Sequence, residues 1–255
     1  MLWYKAWLET RWRFLIGLVL LIFSAFGTVL AYPRVVELLS SMPAVQVGGT
    51  IGEQIREGLA LARDYRGYIW AQFFRQNLIQ TWTLFAVLLG SGSAIAQMSG
   101  GGTLFTLSLP ASRADLVRVR VATGFAELAA LALLPSLAVP MLSLAVGEHY
   151  GVAAALVHAA CLFAAGTAFF SLAFLLSTLF SDLWRPLLLA CGIAFCWSIV
   201  GQLVPAVGRY SIFRVMSAES YFRGAGVPWV GLAASVAVSI AMLVMATKNI
   251  ERQDF

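Results

Sequence analysis

Six apolar stretches, at residues 14–32, 78–98, 121–146, 152–180, 187–207 and 228–246, constrain this chain more than any other feature. Each is long enough, at 1.5 Å of helical rise per residue, to cross a hydrocarbon core about 30 Å thick or to come within a turn of doing so. Of 255 residues, 60% are hydrophobic and only 11% are charged, where an ordinary globular domain is about one quarter charged. The expectation is an all-α polytopic membrane protein with six transmembrane helices, forming a single transmembrane domain over residues 1–255. A cleavable signal peptide competes for the first stretch, with Val29 and Ala31 as small-residue cleavage positions. Its apolar run, however, exceeds the roughly 7–15 residues of a signal core.

The segments between these stretches carry patterns of their own. In residues 1–13, Lys5 and Glu9, with Arg13, recur four apart, with Trp3, Trp7 and Phe14 on the other side. That is the pattern of an amphipathic elbow helix lying in the headgroup layer, where tryptophan is at home. The loop over 33–77 is the longest polar stretch. Within it Thr50 and Glu53 have capping-box spacing, and Ile51, Ile55 and Leu59 recur four apart, which predicts an amphipathic helix. Tyr65, Tyr68, Trp70, Phe73 and Phe74 then read as an aromatic belt leading back into the bilayer. Pro135 and Pro140 are expected to kink the third span and Pro205 the end of the fifth. Between the fifth and sixth spans, Tyr210, Phe213, Tyr221 and Phe222 alternate with Arg209, Arg214 and Arg223, which suggests one or two short half-inserted helices.

Six spans put both termini on one side. The terminal side carries nine Lys and Arg residues and the opposite side eight. Five of those eight belong to the long first loop, whereas Arg11, Arg13, Arg118, Arg120, Arg185 and Lys248 sit at span ends, where the positive-inside rule counts them. Both termini and the connector over 99–120 are therefore expected in the cytoplasm, and the 33–77 loop outside. The net charge of +5 reports this topology and not nucleic-acid binding.

The connector, GGGTLFTLSLPASRADLVRVR over 100–120, is a polar, partly helical interruption between two spans. Pro110 disfavours helical geometry in the residue before it. Ser112 and Asp115 have the spacing with which a hydroxyl and a carboxylate satisfy the first free N–H groups of a new helix. A short helix over Thr103–Leu109, a break, and a helix climbing into the membrane with Arg113, Arg118 and Arg120 at its foot are expected. The second connector on that side, SDLWRP at 181–186, holds Asp182, Trp184 and Arg185.

The longer connector resembles the cytoplasmic segment of ABC-2-type permeases, the membrane subunits of ATP-binding-cassette transporters. That segment tends to read as acidic residues, G-T-L, a few apolar residues, L-P-x-S-R and then a basic residue. Here the match is carried by Gly102, Thr103, Leu104, Leu107, Leu109, Pro110, Ser112 and Arg113, with Arg118 or Arg120 where the family usually has lysine. Met98, Ser99, Gly100 and Gly101 stand where the family has acidic residues. The resemblance implies an exporter subunit of the bacterial cytoplasmic (inner) membrane that pairs with a second permease copy, or a related permease, and with two ABC ATPase subunits. Those ATPases would seat the coupling helix around Thr103–Leu109 and make a smaller contact at Asp182, Trp184 and Arg185; the alternative for the latter is a tight turn with a tryptophan anchor.

The chemistry missing from the chain agrees with a transport subunit and not an enzyme. There is no G-x-x-x-x-G-K-[ST] loop, and Lys5 and Lys248 are the only lysines, so ATP and Mg are expected on the partner ATPase and no cofactor on this chain. His149 and His158 do not pair with carboxylates at metal spacing, and Cys161, Cys191 and Cys196 read as small core hydrophobes. Glu127 and His158 are the ionisable residues inside spans; burial of a charge there costs about 2.5–3.5 kcal/mol on insertion scales, so both should face protein or a watered substrate path. An autonomous secondary carrier is the alternative, but it would want paired broken helices and coupling ionisable groups at mid-depth. A membrane-embedded enzyme would need a convergent catalytic set, which the sequence lacks.

Overall fold

The structure, a computed structural model, describes residues 2–41, 57–91, 113–180, 182–204, 208 and 210–252. Every regular element among them is helical: α1 (Leu2–Ser41), α2 (57–63), α3 (Tyr65–Ile69), a π-helical stretch Trp70–Asn77, α4 (Leu78–Ser91), α5 (Arg113–Ser143), α6 (Val152–Ser177), α7 (Trp184–Leu203), α8 (Ile212–Met216), α9 (Glu219–Phe222) and α10 (Trp229–Arg252). Five helices, α1, α5, α6, α7 and α10, are long and apolar enough to cross a membrane. The described residues are thus all-helical, and five helices of this length and apolarity make the chain a multi-pass membrane protein. Helix α4 alone, with a rise of about 21 Å, is shorter than the hydrocarbon core, but it continues a helical path that begins at Tyr65.

Helix α6 is the centre of the packing. It lies against α4, α5, α7, α8 and α10, and 67% of its most apolar window is buried, against 17% for α7 and α10. Its small residues explain the position. A Cβ added at Gly166 would lie 2.2 Å from Cζ3 of Trp82, so the glycine is the hole into which the α4 indole fits. One turn on, Phe170 and Ala173 close over Gly90 of α4 so tightly that a Cβ there would meet the Phe170 carbonyl oxygen at 2.5 Å. Small residues at such crossings let helix backbones approach where lipid offers no hydrophobic drive to association.

Several sequence expectations change in the folded chain. Residues 2–13 do not form a helix separate from the first span: α1 runs unbroken from Leu2 to Ser41, and its buried stripe, Ala6, Thr10, Phe14, Gly17, Leu21 and Ala25, keeps a spacing of three and four across the expected elbow. The five aromatics read as a belt leading back into the bilayer are packed inside the protein, with Tyr65, Tyr68, Trp70, Phe73 and Phe74 all 5% exposed or less. Helix α5 contains Pro135 and Pro140, the two positions at which the kink is expected, within one helix. The amphipathic helix expected from Ile51 is described over 57–63, and its capping residues Thr50 and Glu53 lie outside the described residues, as does Pro205. Of the three cysteines only Cys161 is buried; Cys196 is exposed on α7, because that helix meets its neighbours along a narrow face.

Candidate functional site

The helices bring polar groups together at two levels. At the end of the bundle that holds the N-terminus, the ends of α4 and α5 that lead into the connector are both tied to α1. Arg13 Nη1 donates to the carbonyl oxygen of Leu88 at 3.0 Å. Arg120 Nη1 pairs with Glu9 Oε2 at 2.9 Å, with only 11% of the arginine side chain exposed. The Thr10 hydroxyl donates to Glu127 Oε1. Local sequence explains which face of α1 makes these ties, since Thr10 belongs to its buried stripe and Glu9 and Arg13 flank it. Glu127 Oε2 and Arg120 Nε are buried with no hydrogen-bond partner among the described residues.

At the other level, the two short helices α8 and α9 fold back against α6. The carbonyl oxygen of Ser217 accepts from Trp70 Nε1 at 3.1 Å and lies 3.1 Å from His158 Nδ1. A carbonyl only accepts, so Nδ1 is the protonated nitrogen of that imidazole. The ring also stacks on Phe74, with centroids 4.5 Å apart. Ala218 then takes a left-handed conformation, φ 50°, and turns the chain so that Glu219 faces two arginines. Arg214 grips its carboxylate with two hydrogen bonds of 2.7 and 2.9 Å, and Arg223 Nε reaches it at 2.9 Å. Burial pushes the Glu219 carboxyl up, but the Arg214 hydrogen bonds and charge, with Arg223 and Arg75, outweigh that and hold it below the ordinary value.

Beside this cluster a cleft of about 1210 Å³ runs between α4 and α7. One wall is the face of the π-helical stretch and α4 that carries Arg75, Ile79, Thr83 and Val87; the other is the α7 face with Cys191, Ala194, Phe195 and Ser198; Arg214 and Glu219 close one end. The Thr83 hydroxyl is buried and has no hydrogen-bond partner among the described residues. Arg75 has no ion-pair partner within 4 Å among them either; its guanidinium lies over the Trp70 ring, 5.4 Å from the centroid.

Glu127 and His158, singled out from the sequence as a possible substrate path, are 3% and 2% exposed. They belong to the two different clusters, and neither lines the cleft. Gly102, Thr103, Leu104, Leu107, Leu109, Pro110 and Ser112 lie outside the described residues, and Arg113 is described only as the first residue of α5. Half-buried Asp182 pairs with exposed Arg185 at 3.4 Å next to Trp184, which opens α7 and is 67% exposed. Arg75, Arg214 and Glu219 were not singled out as site residues. The available signal was the four-residue spacing of Arg75, Ile79, Thr83 and Val87, and that of Glu219 and Arg223. Among the described residues no group of His, Cys, Asp and Glu is arranged to hold a metal. Compared with models of protein families, with curated proteins and with solved structures, the chain matches none.

Proposed function

We propose that this chain is the permease subunit of an ATP-driven exporter of the ABC-2 type, working as a pair of permeases with two ATPase subunits that bind ATP and Mg. In this reading the chain crosses a bacterial inner membrane six times, the second crossing being the helix that contains α4. Both termini and the connectors 99–120 and 181–186 face the cytoplasm. The cleft between α4 and α7 is part of the substrate route, and Thr103–Leu109 is the seat of the ATPase.

The observation that carries this reading is the three-helix tie at the connector. Residues 92–112 join α4 to α5, and those two helices are fastened at that end to α1 through Leu88, Arg120 and Glu127. A displacement of the connector therefore reaches α1, α4 and α5 together. Because α4 is also a wall of the cleft, the same displacement alters the route. Mechanistically this is a two-state packing change biased by nucleotide in a partner. The connector motif supplies the identity of the partner, and because the chain has no phosphate-binding lysine loop, ATP that drives it is bound by that partner.

The test is to purify the tagged chain, ask whether an ATPase co-purifies, and screen compounds for stimulation of the complex's ATP hydrolysis. Leu107→Asp or Pro110→Gly should lower stimulated hydrolysis without preventing membrane insertion. Failure of any ATPase to co-purify, or unchanged hydrolysis and transport in both variants, would overturn the proposal.

A further inference from the structure

We propose that the cleft between α4 and α7 holds one anionic membrane lipid or lipid-like amphiphile, with its phosphate-bearing head at Arg75 and its chain lying along α4 towards Val87. This deepens the reading of the cleft as a substrate route by naming the class of molecule it takes.

The cleft has two chemically different ends. Arg75, Arg214 and Glu219 are gathered at one, while Ile79, Val87, Ala194 and Phe195 supply apolar walls beyond it. From Arg75 to Val87 the helix rises about 18 Å, somewhat more than one leaflet of a hydrocarbon core about 30 Å thick. The volume, about 1210 Å³, exceeds the roughly 300–1,000 Å³ of ordinary small-molecule sites. An amphiphile with one long apolar part fits this division, whereas a small polar solute would leave the apolar walls unused.

The charge balance selects the head group. Glu219 is already satisfied by Arg214 and Arg223, and Arg223 also reaches Glu57 at 3.2 Å. Two guanidinium groups and one carboxylate line the cleft, which leaves one positive charge uncompensated, and Arg75 is the arginine with no ion pair within 4 Å among the described residues. Its guanidinium is held over Trp70 at 5.4 Å, so it is oriented without being neutralised, and a guanidinium suits bidentate contact with phosphate oxygens. Two turns deeper, Thr83 is 7% exposed, lines the cleft and has an unspent hydroxyl. A zwitterionic head would bring its own cation towards Arg75, so discrimination against it is built into the same residue.

The experiment uses the full chain alone in mild detergent, with phosphatidylglycerol and phosphatidylcholine of identical acyl chains offered together and the retained lipid counted by native mass spectrometry. The wild type should keep phosphatidylglycerol about tenfold in preference, the discrimination one charge-assisted contact supplies. Arg75→Gln should bring the two lipids to near parity, and Ser198→Trp, which projects into the cleft, should abolish the specific complex. Equal retention by the wild type overturns the proposal without recourse to any variant. Preference for phosphatidylglycerol that survives both substitutions overturns it as well, since the lipid is then bound elsewhere. No ATPase enters this measurement, so lipid selectivity in a chain with which no ATPase co-purifies refutes the exporter reading alone, and a coupled complex without lipid selectivity refutes this proposal alone.

Discussion

The contact between Trp82 and Gly166 allows a direct test of how α4 is held. A methyl group added at Gly166 would lie 2.2 and 2.6 Å from Cζ3 and Cη2 of the indole, where carbon atoms settle at about 3.5–4.0 Å. The ring has nowhere to go: Trp82 is fully buried, and its Nε1 donates to the Leu128 carbonyl oxygen at 3.1 Å. Overpacking of this kind costs about 1–3 kcal/mol, and turning the indole out of its hydrogen bond adds about 0.5–1.5 kcal/mol. Replacing a helical glycine by alanine returns about 1 kcal/mol, so Gly166→Ala should destabilise by about 0.5–3.5 kcal/mol. Trp82→Phe removes the clashing outer ring atoms and itself costs about 0.5–3 kcal/mol. The double variant should be more stable than the sum of the singles by at least about 1 kcal/mol, the coupling expected of residues in contact. Detergent-denaturation curves of the purified proteins in mixed micelles measure all four corners of the cycle. Additivity within about 0.5 kcal/mol would refute the knob-and-hole account of the α4–α6 seam.

The remaining expectations are briefer. Gly90→Ala should cost more than Gly166→Ala in the same curves, because the added methyl meets a backbone oxygen of Phe170 at 2.5 Å, which only a shift of α6 itself could relieve. Glu9→Gln leaves the nearly buried Arg120 guanidinium without its carboxylate and should destabilise by about 2 kcal/mol, between the values for a membrane hydrogen bond and a broken buried ion pair; the Glu9→Gln, Arg120→Gln double variant should recover part of that loss. Glu219 has its folded pKa held below the ordinary 4.5, so its contribution is complete above pH 4.5 and is lost as pH falls through the lower folded value. Wild type should therefore lose stability on acidification through that window by more than Glu219→Gln does, a difference that parallel unfolding curves at pH 6 and below would reveal.

What the sequence made legible follows from how local each signal is. The long apolar runs announce membrane helices because an uninterrupted apolar stretch has few other uses. The side of α1 that residues 2–13 bury could not be read locally: Lys5 and Glu9 with Trp3 and Trp7 suit an interfacial helix, and only Glu127 and Arg120, more than a hundred residues later, turn Thr10 and Glu9 inward. Tyr65 and Tyr68 illustrate the same limit. A tyrosine fits a headgroup belt or a core equally well by type, and what decides is that the Tyr65 hydroxyl finds Ser143 at 2.5 Å and both rings pack on Tyr32. The π-helical stretch Trp70–Asn77 has no spacing signature at all, yet it sets the direction of Arg75. The cleft stayed hidden because its walls come from helices more than a hundred residues apart, each of which shows only a modest stripe of small and polar residues.

The ties between α1 and α5 also bear on how the chain enters a membrane. Arg120 and Glu127 are awkward cargo for a bilayer if α5 is released alone, but Glu9, Thr10 and Arg13 belong to a helix that was synthesised far earlier and is already in lipid. Helix α1 thus serves as a receiving surface for α5, and the order of synthesis spares both a spell of unpaired charge. A chain shortened from its N-terminus by a dozen residues would lose Glu9 and Thr10, and its first defect would be in assembly.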